Sequence, residues 1–173
     1  FGLRPHNLLG SAPNSNGLTK YKVQTAATTG SSSAIYQGDM VIPLTNGLVD
    51  VSAADGGSVA ILGVMNGCEY IDLTGKPVFS NNYPGTASIK SGTEATVHVY
   101  DNPDQVYEIQ ADASLTNAAT AQALIHANAE GAGFGSQNGS TGKSIGELSV
   151  ASAGATTAGD NFRVVGIKSD FED

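Results

Sequence analysis

The chain has 173 residues, with 8 Lys and Arg against 16 Asp and Glu, which gives a formal net charge of −8 and a charged fraction of only 14%. This length suits one domain. Because an acidic chain without a Lys/Arg cluster is poorly suited to neutralise phosphates, we expect neither nucleic acid nor a membrane as a partner. The lone Cys68 excludes an intrachain disulfide framework.

The first twenty residues combine apolar side chains with prolines, glycines and asparagines and show neither a helical nor a strand period. Such a segment cannot bury its apolar side chains against itself, so it becomes ordered only on another surface. We therefore predict an extended N-terminal arm over residues 1–20, without a partner in the core, and a single β domain over residues 21–173.

From Tyr21 onward, short β-type segments alternate with turn residues. The pair Asn46-Gly47 between two apolar runs predicts a hairpin. Many short strands at intervals of roughly 8–12 residues predict an all-β fold, either a small β-barrel or a jelly-roll-like sandwich. The predicted strands cover residues 21–25, 34–36, 40–44, 48–51, 59–65, 68–72, 77–79, 96–100, 105–110 and 162–167.

Two later segments depart from the strand pattern. Residues 114–128 are rich in alanine and contain neither Gly nor Pro, which predicts one short helix that stops near Gly131. Residues 131–143 are rich in Gly, Ser and Asn without any periodicity, which predicts a flexible surface loop.

The residues able to carry chemistry form no recognisable set. His6, His98 and His126 have no metal-ligand spacing, so we expect no metal and no cofactor. The alternating strand around His98 indicates a structural role for that side chain. The acidic stretch 101–104 lacks calcium-loop spacing and is typical of a turn, while Cys68 is expected to be a small buried hydrophobe. The sequence thus predicts a structural or interaction protein, not an enzyme.

Six collinear segments span most of the chain. They are FGLRP at 1–5, LGSAPN at 9–14, YQGDMV at 36–41, LGVMNGCEY at 62–70, VYDNPDQVYEIQ at 99–110 and FRVVGI at 162–167. Together they resemble the capsid decoration, or cement, proteins of tailed bacteriophages, notably those of cyanophages and other aquatic phages. The fold that this resemblance implies is a small β-barrel or jelly-roll-like domain with an N-terminal arm.

The resemblance implies a structural virion protein on the outer face of the capsid. There it would cement neighbouring major capsid protein subunits, as a homotrimer at threefold positions, and stabilise the mature DNA-filled head. The arm would supply the contacts with the shell or adjacent subunits. The implied partner-contact residues are Phe1, Leu3, Arg4, Pro5, His6 and Leu8.

The net charge agrees with an outer position, because packaged DNA repels a chain of charge −8. The alternative function is a virion-surface carbohydrate-binding or adhesin-like β domain. The chain has no Trp, so a sugar-binding platform has few aromatic side chains from which to be built.

Overall fold

The computed structural model of the chain describes residues 1–9, 17–25, 32–52, 60–115, 118–151 and 160–168. The first half forms β1 (Arg4–Leu8), β2 (Thr19–Lys22), β3 (Ile35–Tyr36), β4 (Met40–Pro43), β5 (Val49–Val51), β6 (Gly63–Ile71) and β7 (Pro77–Ser80). The second half forms β8 (Asn82–Tyr83), a 3-10 turn at Thr86–Ser88, β9 (Thr96–Tyr100), β10 (Gln105–Glu108), α1 (Ala118–Leu124), β11 (Asn128–Ala129), β12 (Gly131–Ala132), β13 (Glu147–Leu148) and β14 (Phe162–Arg163). The prediction of an all-β fold is confirmed.

The largest sheet is antiparallel and has the strand order β2-β9-β6-β4-β5, with β7 paired to the second half of β6. Within the described residues this sheet does not close into a barrel. A single bridge between Val23 and Val49 brings its two end strands together at one point. Smaller two-stranded pairs, β1 with β10, β3 with β8, β11 with β14 and β12 with β13, complete the described strands.

The main core lies on one face of this sheet. Strand β9 has the period of two that a half-buried strand requires, and Val97 and Val99 point inward with no exposed surface. Tyr83 packs edge-on against Tyr70 above them, with ring centroids 6.4 Å apart. Two smaller clusters flank this core: one contains Leu3, Met40, Val64 and Phe134, and the other contains Leu124, Ala129 and Val164.

The hairpin predicted at Asn46-Gly47 is present. Strands β4 and β5 pair in antiparallel register across it, the Leu44 N–H donates to the Leu48 carbonyl, and Gly47 has a φ of 79°. A positive φ is strained for most residues and is tolerated by glycine, so the Asn-Gly pair specifies the turn.

Three strand predictions need correction. The segments 59–65 and 68–72 were expected to be separate strands, but Gly63–Ile71 is one nine-residue strand with a bulge between Met65 and Gly67, and Val59 lies outside the described residues. The strand expected over residues 162–167 is limited to Phe162–Arg163, because its partner β11 is itself only two residues long.

The predicted helix is present but shorter than expected. It covers Ala118–Leu124, whereas Ser114 and Leu115 are not helical, and residues 116 and 117 lie outside the description. It stops well before Gly131 because His126 adopts a left-handed conformation, with φ at 71°, and donates its backbone N–H to the Val164 carbonyl.

Candidate functional site

The N-terminal segment, residues 1–9, is bound along the body of the same chain. The Gly2 N–H donates to the Ser144 carbonyl at 2.9 Å, and the Leu3 N–H donates to the Gly38 carbonyl at 3.0 Å. Strand β1 then pairs antiparallel with β10, and the Leu9 N–H donates to the Asp104 carbonyl. The segment is extended, as expected, but its backbone partners belong to its own chain.

This arrangement corrects the expectation that the segment has no partner in the core. Leu3 is 3% exposed and packs against Met40, Val64 and Phe134, and Leu8 is 7% exposed. Both side chains are therefore turned into the chain itself and do not present a contact surface for a capsid subunit. Residues 10–16 of the predicted arm lie outside the described residues.

The other predicted contact residues are closer to solvent. Arg4, Pro5 and His6 are exposed, and His6 occupies the bulge where the β1–β10 register shifts. Phe1 is half-buried, and the Arg4 guanidinium carbon lies 3.6 Å from its ring centroid, which is a close cation–π contact. The exposed side chains of the segment thus include the cationic Arg4 as well as the aliphatic Pro5 and Leu9.

A buried carboxylate ties the body to the segment 131–143. Asp39 has no exposed surface and accepts backbone N–H donors from Tyr36 at 2.8 Å and from Gly135 at 3.0 Å. Desolvation raises the pKa of Asp39, and hydrogen bonds from Ser144, Tyr36 and Gly135 oppose that rise. The same Ser144 carries the carbonyl that receives the Gly2 N–H, so the two contacts are adjacent.

Residues 131–143 are anchored more firmly than their composition predicted. Phe134 is 7% exposed and lies in the cluster of Leu3, and the Gln37 N–H donates to the Gly142 carbonyl. A Cβ on Gly142 would lie 2.6 Å from the Asn81 side chain, so the chain passes close to the body there. The predicted surface loop is thus attached to the body by the buried Phe134 side chain, while residues 136–141 remain exposed.

Sequence reasoning missed an exposed apolar surface at the hairpin that joins β6 to β7. Phe79 is 77% exposed and Leu73 is 68% exposed, more than any other large hydrophobic side chain of the described residues. The turn itself is well formed, since one Asp72 carboxylate oxygen accepts the N–H groups of Thr74 and Lys76. The signal available in the sequence was Phe79 itself, which follows Val78 and so points to the opposite face of the strand.

The side chains considered for chemistry take structural positions. Asp101 accepts the Tyr21 hydroxyl at 2.7 Å; burial alone would raise the pKa of Asp101, but hydrogen bonds from Tyr21 and Thr19 outweigh that effect and lower it. Residues 101–104 form the predicted turn, in which the Gln105 N–H donates to the Asn102 carbonyl. Cys68 is 4% exposed, and burial raises the pKa of its thiol to about 12, as expected for a core residue.

The three histidines do not come together in a common site among the described residues. His98 is central in the sheet, between β2 and β6, and its Nε2 atom lies 4.0 Å from the Glu69 carboxylate. In the part of the chain that the structure describes, no group of three His, Cys, Asp or Glu side chains is arranged to hold a metal ion. A helix long and apolar enough to span a membrane is likewise not found among these residues.

No protein-family model matches the chain, and no curated protein or solved structure is significantly similar to it. The function of the chain must therefore be inferred from its own sequence and structure. Two surface features of the described residues are the exposed Arg4 of the N-terminal segment and the exposed apolar side chains of the β6–β7 hairpin.

Proposed function

We propose that this chain is a structural virion protein that binds the outer surface of a phage capsid and cements neighbouring major capsid protein subunits. The proposal rests first on the resemblance of six collinear sequence segments to phage decoration proteins. The structural observation that supports the proposal is the pair Phe79 and Leu73, which leave their side chains in solvent at one hairpin. Exposed apolar side chains of this size favour a protein partner.

The hairpin also offers backbone groups. Among the described strands, β7 pairs only with β6, so its outer edge is open for an added strand from a partner. Phe79 lies beside this edge. A capsid segment that pairs with β7 would cover the Phe79 ring and gain main-chain hydrogen bonds in the same contact.

The attachment differs from the one that the sequence alone predicted. With Leu3 and Leu8 buried inside the chain, the N-terminal segment contributes only its exposed residues to an interface. The hairpin then becomes the main attachment surface, and the net charge of −8 still favours the face of the shell away from DNA. Binding that prefers the mature lattice shifts the equilibrium toward the assembled shell by mass action.

The test uses capsids that lack the protein. Purified chain is added, bound protein is measured by sedimentation, and the temperature at which heads release DNA is recorded. We expect saturable binding and a raised release temperature, both lost in Phe79→Ser and Leu73→Ser. Val165→Ser is the matched control, because Val165 is 41% exposed away from the hairpin.

Absence of binding by the unmodified chain, or binding without a change in release temperature, would refute the capsid proposal. Binding to host cells in place of heads would instead favour the carbohydrate-binding alternative. A measurement of mass in solution tests the proposed homotrimer, for which we expect three times the chain mass of 17.5 kDa if it assembles before docking.

A further inference from the structure

A small cavity lies between the N-terminal segment and the sheet. Its volume is about 230 Å³, below the roughly 300–1,000 Å³ that is usual for larger ligands. Phe1, Pro5 and Tyr100 supply the partly exposed apolar lining, and Leu3, Val64 and Met65, each no more than 3% exposed, lie behind it. The cavity therefore suits a small group with an apolar portion.

The charge of this cavity is opposite to that of the chain. Among the described residues it is lined by Arg4 and Lys143, together with the amides Gln37 and Asn66, and by no Asp or Glu. The chain as a whole has twice as many acidic as basic side chains. A cavity with two cations and no carboxylate is thus a local exception in which an anion would be attracted.

Arg4 forms no ion pair with an acidic side chain of the described residues. It lies opposite Glu108 in the β1–β10 register, where the two side chains would be expected to pair. The Glu108 carboxylate is instead engaged by Lys168, with the two atoms 3.2 Å apart. Among the described residues neither Arg4 nor Lys143 forms an ion pair, so both charges are available.

The Arg4 guanidinium is also held in position. Its carbon is 3.6 Å from the centroid of the Phe1 ring, and stacking of this kind leaves the in-plane N–H donors free. Those donors match the fork of a carboxylate. The Gln37 side chain donates to Asn66 Oδ1 at 3.1 Å, and this bond leaves the Nδ2 donors of Asn66 for another acceptor.

We propose that this cavity is a binding site for a carboxylate carried on a short apolar group. Arg4 and Lys143 would neutralise the carboxylate, Asn66 would donate to it, and the apolar lining would cover the attached carbon chain. A carboxylate fits better than a phosphate, because moving a doubly charged phosphate from water into a partly apolar cavity costs more free energy. This site goes beyond the capsid proposal and does not depend on it.

Such a carboxylate could be a free small molecule or an acidic side chain of a protein segment, and two probes distinguish these sources. The first is hexanoate. The second is the blocked peptide acetyl-Ala-Leu-Glu-Leu-Ala-amide, with a twin in which Gln replaces Glu as its uncharged control. Each is titrated into the isotope-labelled full chain, and chemical shifts of the Asn66 and Lys143 amides are followed.

We expect saturable shifts with hexanoate or with the Glu peptide, and none with the Gln twin. Arg4→Ala and Lys143→Ala should each weaken binding about tenfold, as loss of a charge-assisted hydrogen bond does. Lys90→Ala is the matched control, since it changes the net charge equally outside the cavity. Binding should also weaken between about 0.1 M and about 1 M salt, where the Debye length falls from ~10 Å to ~3 Å.

Saturation by hexanoate alone assigns the site to a free carboxylate, and saturation by the Glu peptide assigns it to an acidic protein segment. The proposal is overturned if neither probe saturates, or if Arg4→Ala and Lys143→Ala bind as tightly as Lys90→Ala. Both substituted side chains are exposed, so the variants should melt at the temperature of the unmodified chain, and that melt verifies that the fold is intact.

Discussion

Replacing Leu3 with Ala tests whether the N-terminal segment belongs to the core. Leu3 is 3% exposed and contacts the cluster of Met40, Val64 and Phe134. The substitution removes three carbon atoms, whose return to water costs about 2.4 kcal/mol at roughly 0.8 kcal/mol per methylene. A residual cavity adds to that cost, so we expect a loss of about 3 kcal/mol in the free energy of unfolding.

The loss should be visible in a thermal melt. A chain of this size loses roughly 2–4 °C in Tm per kcal/mol, so Leu3→Ala should melt about 6–12 °C below the unmodified protein. Hydrogen exchange at the Leu3 amide, which donates to the Gly38 carbonyl, should accelerate in the same variant. The two readouts together separate release of the segment from a general loosening of the sheet.

Leu9→Ala is the matched control within the same segment. Leu9 is 45% exposed, so its removal should change stability by less than about 0.5 kcal/mol. Deletion of residues 1–9 should destabilise the chain at least as much as Leu3→Ala. If Leu3→Ala and the deletion both melt at the temperature of the unmodified chain, the segment is a dispensable arm and its assignment to the core is wrong.

Three further substitutions or treatments test other contacts. Gly2→Ala should cost about 1–3 kcal/mol, because its Cβ would lie 2.5 Å from the Ser144 Cβ, whereas Gly166→Ala, with open space around it, should be neutral in the same melt. The lowered pKa of Asp101 means that its stabilisation is present above the unfolded pKa of about 3.9 and is lost as pH falls through the folded value. Asp101→Asn should therefore cost about 1 kcal/mol at pH 7, and its gap to the unmodified chain should close in acid. A thiol reagent should label the buried Cys68 only after denaturant is added, since burial raises its pKa to about 12.

For each of these predictions, one result would contradict the reasoning. Equal melts for Gly2→Ala and Gly166→Ala would mean that the chain relaxes around Ser144. A stability gap for Asp101→Asn that is constant with pH would assign the cost to packing, not to ionisation. Rapid labelling of Cys68 in the native chain would place its thiol at the surface.

The parts of the fold that sequence predicts are those with local signals. Strand β9 was predicted to the residue, because Thr96–Tyr100 alternates and its two valines are fully buried. The Asn46-Gly47 turn was predicted because its chemistry lies within two residues. Neither inference requires knowledge of what lies across the sheet.

Gly63 illustrates a contact that a local sequence pattern cannot predict. Gly63 lies inside the strand predicted over residues 59–65, yet it begins the long strand β6. A Cβ at Gly63 would collide with the Tyr100 backbone, so glycine is needed there for close approach of β9. A glycine that breaks a strand and one that admits a neighbouring backbone look alike in a sequence, because the neighbour is 37 positions away.

The prediction that the N-terminal segment has no partner in the core was wrong for a related reason. Leu3, Met40, Val64 and Phe134 each come from a different part of the chain, and Phe134 stands alone in a Gly-rich stretch. No local sequence pattern links these four residues, because they come together only when the chain folds. Sequence reasoning assigned the apolar residues of the segment to a partner because their partners within the chain could not be seen.

The two proposed surfaces can be tested against each other because both involve β6 at different positions. Asn66 lines the cavity, while Phe79 lies opposite Glu69, three residues further and about 10 Å along the strand. Substitutions at that separation without shared partners act independently. Phe79→Ser should therefore abolish capsid binding and leave the carboxylate affinity unchanged, and Lys143→Ala should do the reverse. If Lys143→Ala also abolishes capsid binding, the cavity receives an acidic side chain of the shell, and the two surfaces form one interface.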